Sequence, residues 1–236
     1  MIKRTFTAPA VVTGAPGFWR DAMPEARVVP DTEVLDLAEG AHDLVVHALA
    51  LHWADDPVGQ LVQARRALAP DGLLIALTLG GQTLTELRQS LATAEAQLRG
   101  GLSPRVVPMG EIRDLGALLQ RAGFALPVAD GFTRQVSYAT PLHLMRDLRA
   151  MGETNALADR DRRFTPRAVL TEAMRLYAET FAGADGRVPA TFDVICLTGW
   201  APAADQPQPL RPGSATTRLA DALGAEERPL PDKAGS

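Results

Sequence analysis

Two apolar runs and the segment between them decide the fold: Asp43-Leu44-Val45-Val46-His47-Ala48-Leu49-Ala50-Leu51-His52-Trp53, and Leu73-Leu74-Ile75-Ala76-Leu77-Thr78-Leu79. Neither run alternates polar with apolar residues. Unbroken apolarity over a few residues fits a strand covered on both faces, as in a parallel sheet. Between them, Asp55-Asp56-Pro57 is a helix start, with an acid before a proline at the first helical position. Val58, Leu61, Val62 and Leu68 then form an apolar stripe with Arg65 on its flank. Pro70-Asp71-Gly72 reads as the turn into the second strand, and Gly80-Gly81 closes that strand. Strand, helix, turn and strand make a βαβ unit.

Outward from this unit the pattern continues. Upstream, Pro9 to Thr13 reads as a strand ended by Gly14, Pro16 to Met23 as about two helical turns, and Arg27 to Val29 as a short extended piece before the acidic stretch 31–37. Downstream, the spacing predicts a helix over 83–99, opened by Thr83-Leu84-Thr85-Glu86 as a capping box. Further helices are expected over 111–122, ended by Gly123, over 141–151 and over 166–182. Phe124 to Val128 and Arg134 to Tyr138 read as two strands, and Thr191 to Trp200 as a last one. Residues 201–236 are rich in proline and poor in large apolar residues, so a disordered tail follows a domain of residues 1–200, with room for one short helix over 215–223. The fold class is α/β: a mostly parallel sheet with helices on both faces.

Composition narrows the function classes. Of 236 residues, 46% are apolar and 22% charged, which supports an ordinary packed core. The formal net charge of -4 and the lack of a dense Lys/Arg run argue against a nucleic-acid groove. Apolar runs are too short to span a bilayer. A single cysteine, Cys196, excludes an internal disulfide and reads as a core residue. The four histidines show no metal-ligand spacing, and His42 and His143 read as surface residues. With Met1-Ile2-Lys3-Arg4 not followed by a signal-type core, a cytoplasmic location is expected.

Individual residues carry more than one reading. His47 is either the floor of a pocket at a strand's carboxyl end or a hydrogen-bonded core histidine. His52 and Trp53 are either the wall of a substrate mouth, with His52 a candidate base, or core capping beside the helix over 57–68. Asp55 and Asp56 read as helix-capping acids. Gly80, Gly81 and Thr83 present bare amides at a helix start, a place for an anionic substrate group, or else form a plain turn. Glu153 and Asn155 offer paired acceptors for a guanidinium or amide substrate.

From residue 27 onward the pattern resembles the class I S-adenosylmethionine-dependent methyltransferase superfamily. The acidic stretch 31–37, Asp43-Leu44-Val45-Val46, Leu51-His52-Trp53, Pro70-Asp71-Gly72 and the strand to Gly80 carry the likeness. A narrower likeness rests on Gly80-Gly81-Gln82-Thr83-Leu84, Glu86-Leu87-Arg88, Gly101-Leu102-Ser103-Pro104, Asp114-Leu115-Gly116, Arg121-Ala122-Gly123-Phe124, Met151-Gly152-Glu153-Thr154-Asn155, Val188-Pro189-Ala190-Thr191 and Arg211-Pro212-Gly213-Ser214-Ala215. In that order they are similar to the arginine-hydroxylase family of respiratory complex I assembly factors. The malonyl-carrier-protein methyltransferases are more distant relatives.

The resemblance implies a Rossmann-like methyltransferase sheet, S-adenosylmethionine as cofactor, a protein substrate from complex I and no metal. It places Gly14, Asp31, Asp36, His47 and Ala48, with Glu33 as a further acid, on the cofactor side. The chain departs from the superfamily before Asp43. Too few residues separate Gly14 from that strand for two complete βα units and a third strand, so the cofactor half is abbreviated. Thr13-Gly14-Ala15-Pro16-Gly17 stands where a glycine-rich turn is expected, but Pro16 removes a backbone donor. Two alternatives follow: a non-catalytic pseudo-methyltransferase acting as a binding or assembly factor, or a sequence lacking residues at its start.

Overall fold

The computed structural model describes residues 4–207 and Gly224. A compact unit ends at Ala203. Of the residues beyond it, only 204–207 and Gly224 are described, so the expectations of a disordered tail and of a helix over 215–223 lie outside the described residues.

One six-stranded sheet organises the compact unit. It comprises β1 (Pro9–Thr13), β2 (Arg27–Val29), β3 (His42–Ala48), β4 (Leu68–Gly80), β5 (Ala125–Tyr138) and β6 (Val188–Trp200), in the order β2-β1-β3-β4-β6-β5. β1 pairs in parallel with both β2 and β3, and β3 with β4, while β6 runs antiparallel to β4 and β5. The sheet is therefore mostly parallel, with β6 the one reversed strand among the described residues. No strand of the described residues lies outside β2, so the cofactor half has two strands before β3.

The apolar run over β3 is buried on both faces. Val45 joins Val12, Leu74 and Leu197 in a core against α2 (Pro57–Ala67) and α4 (Ile112–Arg121), through Leu61, Ala64 and Leu119. Leu44 and Val46 face the other way, with Val11 and Leu73, toward Trp19 and Met23 around α1 (Pro16–Ala22). A third cluster gathers Leu87 and Leu91 of α3 (Thr85–Arg99), Leu144 and Leu148 of α5 (Pro141–Ala150), Val169 and Tyr177 of α6 (Arg167–Phe181), and the start of β6. Each fully buried leucine in these clusters contributes about 1.5–3 kcal/mol. The expected start of α2 is observed: Asp56 is the N-cap, and its Oδ1 accepts the Gly59 N–H at 2.9 Å.

Five expectations are corrected. Pro70-Asp71-Gly72 does not precede the strand; it forms a bulge inside β4. His42 pairs with Leu68 and Leu44 already with Leu73, and Asp71 takes a φ of 59°. The bulge is stitched to the end of β6 by Asp71 N–H to Ala201 O and Ala201 N–H to Gly72 O. The two strands expected on either side of Gly131 are one, because β6 supplies pairing from Val188 to Trp200 along its whole length. The capping box at Thr83 does not form. Leu84 is left-handed at φ 54°, the Thr83 hydroxyl donates to Gly80 O, and Glu86 is buried, accepting from the backbone and hydroxyl of Thr191. His42 is buried rather than superficial, with Nδ1 3.1 Å from Ala8 O, and Cys196 is only half-buried.

Candidate functional site

The parallel strands β1, β3 and β4 end together at Thr13, Ala48 and Gly80. In open α/β sheets ligands sit beyond these carboxyl ends. Two cavities lie here, and the segment Trp53-Ala54-Asp55, at the end of the 3-10 turn Leu51–Trp53, lines both of them.

The smaller cavity, about 380 Å³, is acidic. Asp31, Glu33, Asp55 and Asp56 line it, with Gln60 and Gln63. Asp31 follows β2 and faces the bare backbone of Gly14 after β1: a Cβ at Gly14 would sit 3.7 Å from the Asp31 carboxylate. No hydrogen bond to that carboxylate is made among the described residues. Gln60 donates to Thr32 O at 2.7 Å and meets His47 Nε2 at 3.3 Å, and Gln63 holds Glu33 O and the Leu35 N–H. These two amides of α2 fix the acidic loop. Burial lowers the pKa of His47, and His52 adds to the lowering. The hydrogen bond to Gln60 and the charge of Asp31 oppose it. His47 Nδ1 is buried without a partner.

The larger cavity, about 600 Å³, is mainly apolar, walled by Leu84, Leu87, Leu91, Met109, Met145 and Leu148. Its polar end is a network. His52 Nε2 lies 3.1 Å from Glu153 Oε1 and 3.3 Å from Oε2, and Trp53 Nε1 donates to Oε1 at 3.4 Å. Thr78 Oγ1, from β4, is 3.5 Å from His52 Nδ1. A carboxylate has about four acceptor positions, so Glu153 keeps capacity for a ligand.

The residues singled out in sequence separate into three groups. Asp31 reaches the acidic cavity with Gly14 beside it, and Glu33 lines it too. His52, Trp53, Glu153 and Asn155 line the larger one. Asn155 does not present a free amide: its Nδ2 donates to Pro104 O, and its Oδ1 accepts from Leu157 N–H.

The remaining residues line neither cavity. Asp36 turns outward to an ion pair with Arg27, and its side chain is 85% exposed. His47 and Ala48 are buried in the strand. The amides around Gly80, Gly81 and Thr83 are consumed internally: Gly81 N–H donates to Gly110 O, and Gln82 N–H to Asp193 Oδ2. Thr83 is fully buried and joins Gly80 O to the Asp193 backbone. The anion at this helix start is thus the chain's own Asp193, not a substrate group. The turn after β1 is closed in the same way, since Thr13 Oγ1 accepts the Ala15 N–H at 3.0 Å.

Two contributors escape sequence reading. Asp55, taken as a capping acid, lines both cavities, whereas Asp56 does the capping. Thr78 looks like any residue of an apolar strand. Its adjacency to His52 comes from the β3–β4 pairing.

Comparison with known proteins follows this geometry. A family model described as a methyltransferase domain matches residues 15–76. The arginine-hydroxylase NDUFAF5, mitochondrial, of Danio rerio is 40% identical over 199 residues, covering 84% of this chain and 62% of that protein. Its Homo sapiens counterpart is 39% identical over 84% of this chain and 57% of that one. A malonyl-[acyl-carrier protein] O-methyltransferase of Laribacter hongkongensis is 38% identical over 76% of this chain and 58% of its own length. The chain thus spans less than two thirds of each of these relatives. Among solved structures, the YcgJ protein of Bacillus subtilis superposes with a TM-score of 0.52 at 12% identity, over 85% of this chain and 94% of that one. A candidate methyltransferase from Bacillus halodurans gives 0.51 at 16%, over 85% and 94%. The fold is that of a Rossmann-like methyltransferase. The expectation of a cytoplasmic location is overturned, because the NDUFAF5 relatives are named as mitochondrial.

Proposed function

We propose that the chain is a class I methyltransferase-superfamily relative of the NDUFAF5 arginine hydroxylases, which binds S-adenosylmethionine in the acidic cavity and modifies a guanidinium side chain of a protein held in the larger one. By the family resemblance, the protein substrate is a subunit of respiratory complex I. The observation that carries this reading is the shared wall: Trp53, Ala54 and Asp55 separate two cavities of complementary chemistry.

The acidic cavity fits a nucleoside with a cationic end. Asp31 offers free acceptors to a pair of ribose hydroxyls, and side-chain-free Gly14 leaves room beside it. The four carboxylates favour a ligand of net positive charge. The turn after β1 offers little to the ligand's carboxylate, because the Ala15 amide is used by Thr13 and Pro16 has none. S-adenosylmethionine, when bound, supplies an electrophilic methyl group.

On the other side, Glu153 is placed to grip a guanidinium through paired hydrogen bonds. Trp53 offers an aromatic face for the same cation. His52, with Nε2 3.1 Å from Oε1, orients the Glu153 carboxylate, which can take a proton from the substrate nitrogen. The leucine and methionine walls accept the aliphatic stem and exclude water.

Incubating the purified chain with S-adenosylmethionine and an arginine-bearing complex I subunit, followed by peptide mass spectrometry, tests the reading. The expected result is an arginine heavier by a methyl group, with S-adenosylhomocysteine formed as the co-product. An unmodified subunit after extended incubation would contradict it and leave the binding-factor role.

A further inference from the structure

Among the described residues, β5 closes one side of the sheet with no strand on its outer edge. It is long, at 14 residues, of which ten are solvent-exposed. Long exposed edges are normally blunted, because their free N–H and C=O groups recruit another strand. Here the blunting is light and comes from side chains as well as from Pro127, which stands inside a bulge between Ala125 and Val128: the Asp130 carboxylate accepts the Gly131 N–H at 2.8 Å, and Arg187 donates to Ser137 O at 2.7 Å. From Val128 onward the pairing with β6 is regular, no strand covers the other edge among the described residues, and an incoming strand has only the Asp130 and Arg187 side chains to displace.

The two faces of β5 differ. α4 covers one: the Ala129 Cβ is 3.1 Å from where a Gly116 Cβ would stand, and Ile112 is 3.5 Å from that position at Gly131. The alternate residues, Val128, Asp130, Phe132, Arg134 and Val136, share the opposite face. Val128 is 56%, Phe132 50% and Val136 40% exposed, and the Arg134 guanidinium lies 5.3 Å from the Phe132 ring centre. This set is its own complement under reversal. Apolar, acidic, aromatic, basic, apolar becomes, read backwards, the same series with the charges exchanged.

We infer that β5 is a homodimer interface, on which a second copy of this chain adds its own β5 antiparallel, about a two-fold axis through Phe132. In that register Val128 stands opposite the partner's Val136, Asp130 opposite the partner's Arg134, and the two Phe132 rings meet at the axis. Directly opposite pairs are the unit of sheet stabilisation, and this register makes two opposite-charge pairs and two apolar pairs. A two-fold contact of one patch with itself is the commonest closed assembly. A one-residue slip brings Asp130 and Arg134 out of opposition and places exposed apolar residues against Ala129, Gly131 or Thr133, so the register is specified. This inference is independent of the proposed reaction.

Sedimentation velocity and light scattering on the full chain, with charge-reversed variants, test it. The wild type is expected to be a dimer. Asp130→Arg alone and Arg134→Asp alone each set like charges opposite one another at two symmetric positions, and each is expected to weaken dimerisation at least tenfold. The double exchange Asp130→Arg with Arg134→Asp restores opposition and is expected to restore the dimer. Thermal melts by circular dichroism confirm that the single variants fold. A wild type that stays monomeric at about 100 µM overturns the inference, since such a contact holds less than about 5.5 kcal/mol. So does a dimer indifferent to the single reversals, or one that the double exchange fails to restore.

Discussion

Replacing Glu153 by glutamine is expected to lower the rate of arginine modification, as kcat/KM, by about a hundredfold or more. The substitution keeps shape and one acceptor but removes the charge. A hydrogen bond to a charged group is worth about 1.5–3 kcal/mol, and a bidentate guanidinium contact makes two of them. It also removes the anion against which His52 and Trp53 are oriented, at 3.1 and 3.4 Å. Fold stability should change little, because glutamine can still accept from His52 or Trp53. The check is the initial rate of modified peptide by mass spectrometry, beside a thermal melt. A rate within about threefold of wild type would remove Glu153 from the acceptor site, as the stated magnitudes leave no room for so small a loss.

The second large effect is on stability. Glu95, on α3, has a side chain only 1% exposed, yet it accepts three hydrogen bonds: from Arg105 at 2.6 Å, from the Ser103 N–H at 2.8 Å and from Arg99 at 3.1 Å. Burial alone raises its pKa. The bonds to Arg105 and Ser103 and the charge of Arg105 outweigh that, so the carboxyl is held below its ordinary value. Arg105 also donates to Thr165 at 2.6 Å, and its Nε is buried without a partner. Glu95→Ala therefore strips the main anion from a partly buried, half-satisfied guanidinium and removes the fully buried partner of the pair. Breaking a buried pair in this way costs about 3–5 kcal/mol. For a chain of this size that lowers Tm by roughly 6–20 °C. Urea unfolding measures it, and a change below about 1 kcal/mol would mean that the cluster is solvated in solution. Because Arg105 and Val106 line the larger cavity, the same substitution loosens its outer wall.

Local chemistry made the centre of the sheet readable. Asp56-Pro57 marks the start of α2, and the apolar runs of β3 and β4 show burial on both faces because both faces are in fact covered. The reading failed where partners lie far along the chain. β5 looks broken at Gly131 in sequence and is continuous only because β6 pairs along all of it. Gly80-Gly81-Thr83 has the signature of an anion cradle, and it is one, but Asp193 fills it from β6. The partner that orients His52 cannot be read from its neighbourhood, because Glu153 lies 101 residues away. Asp31 and Asp36 are equivalent acids in the sequence. Only the end of β2 and the nearness of Arg27 decide that the first faces Gly14 and the second faces solvent.

Everything proposed for the reaction depends on the acidic cavity at Gly14 and Asp31 holding the nucleoside. Isothermal titration of the chain with S-adenosylmethionine measures this directly. The account predicts saturable heat with a dissociation constant in the micromolar range, weakened about tenfold or more by Asp31→Asn, as loss of a charged acceptor for hydroxyl donors requires. No saturable heat up to millimolar ligand, or a wild-type affinity untouched by Asp31→Asn, would contradict it.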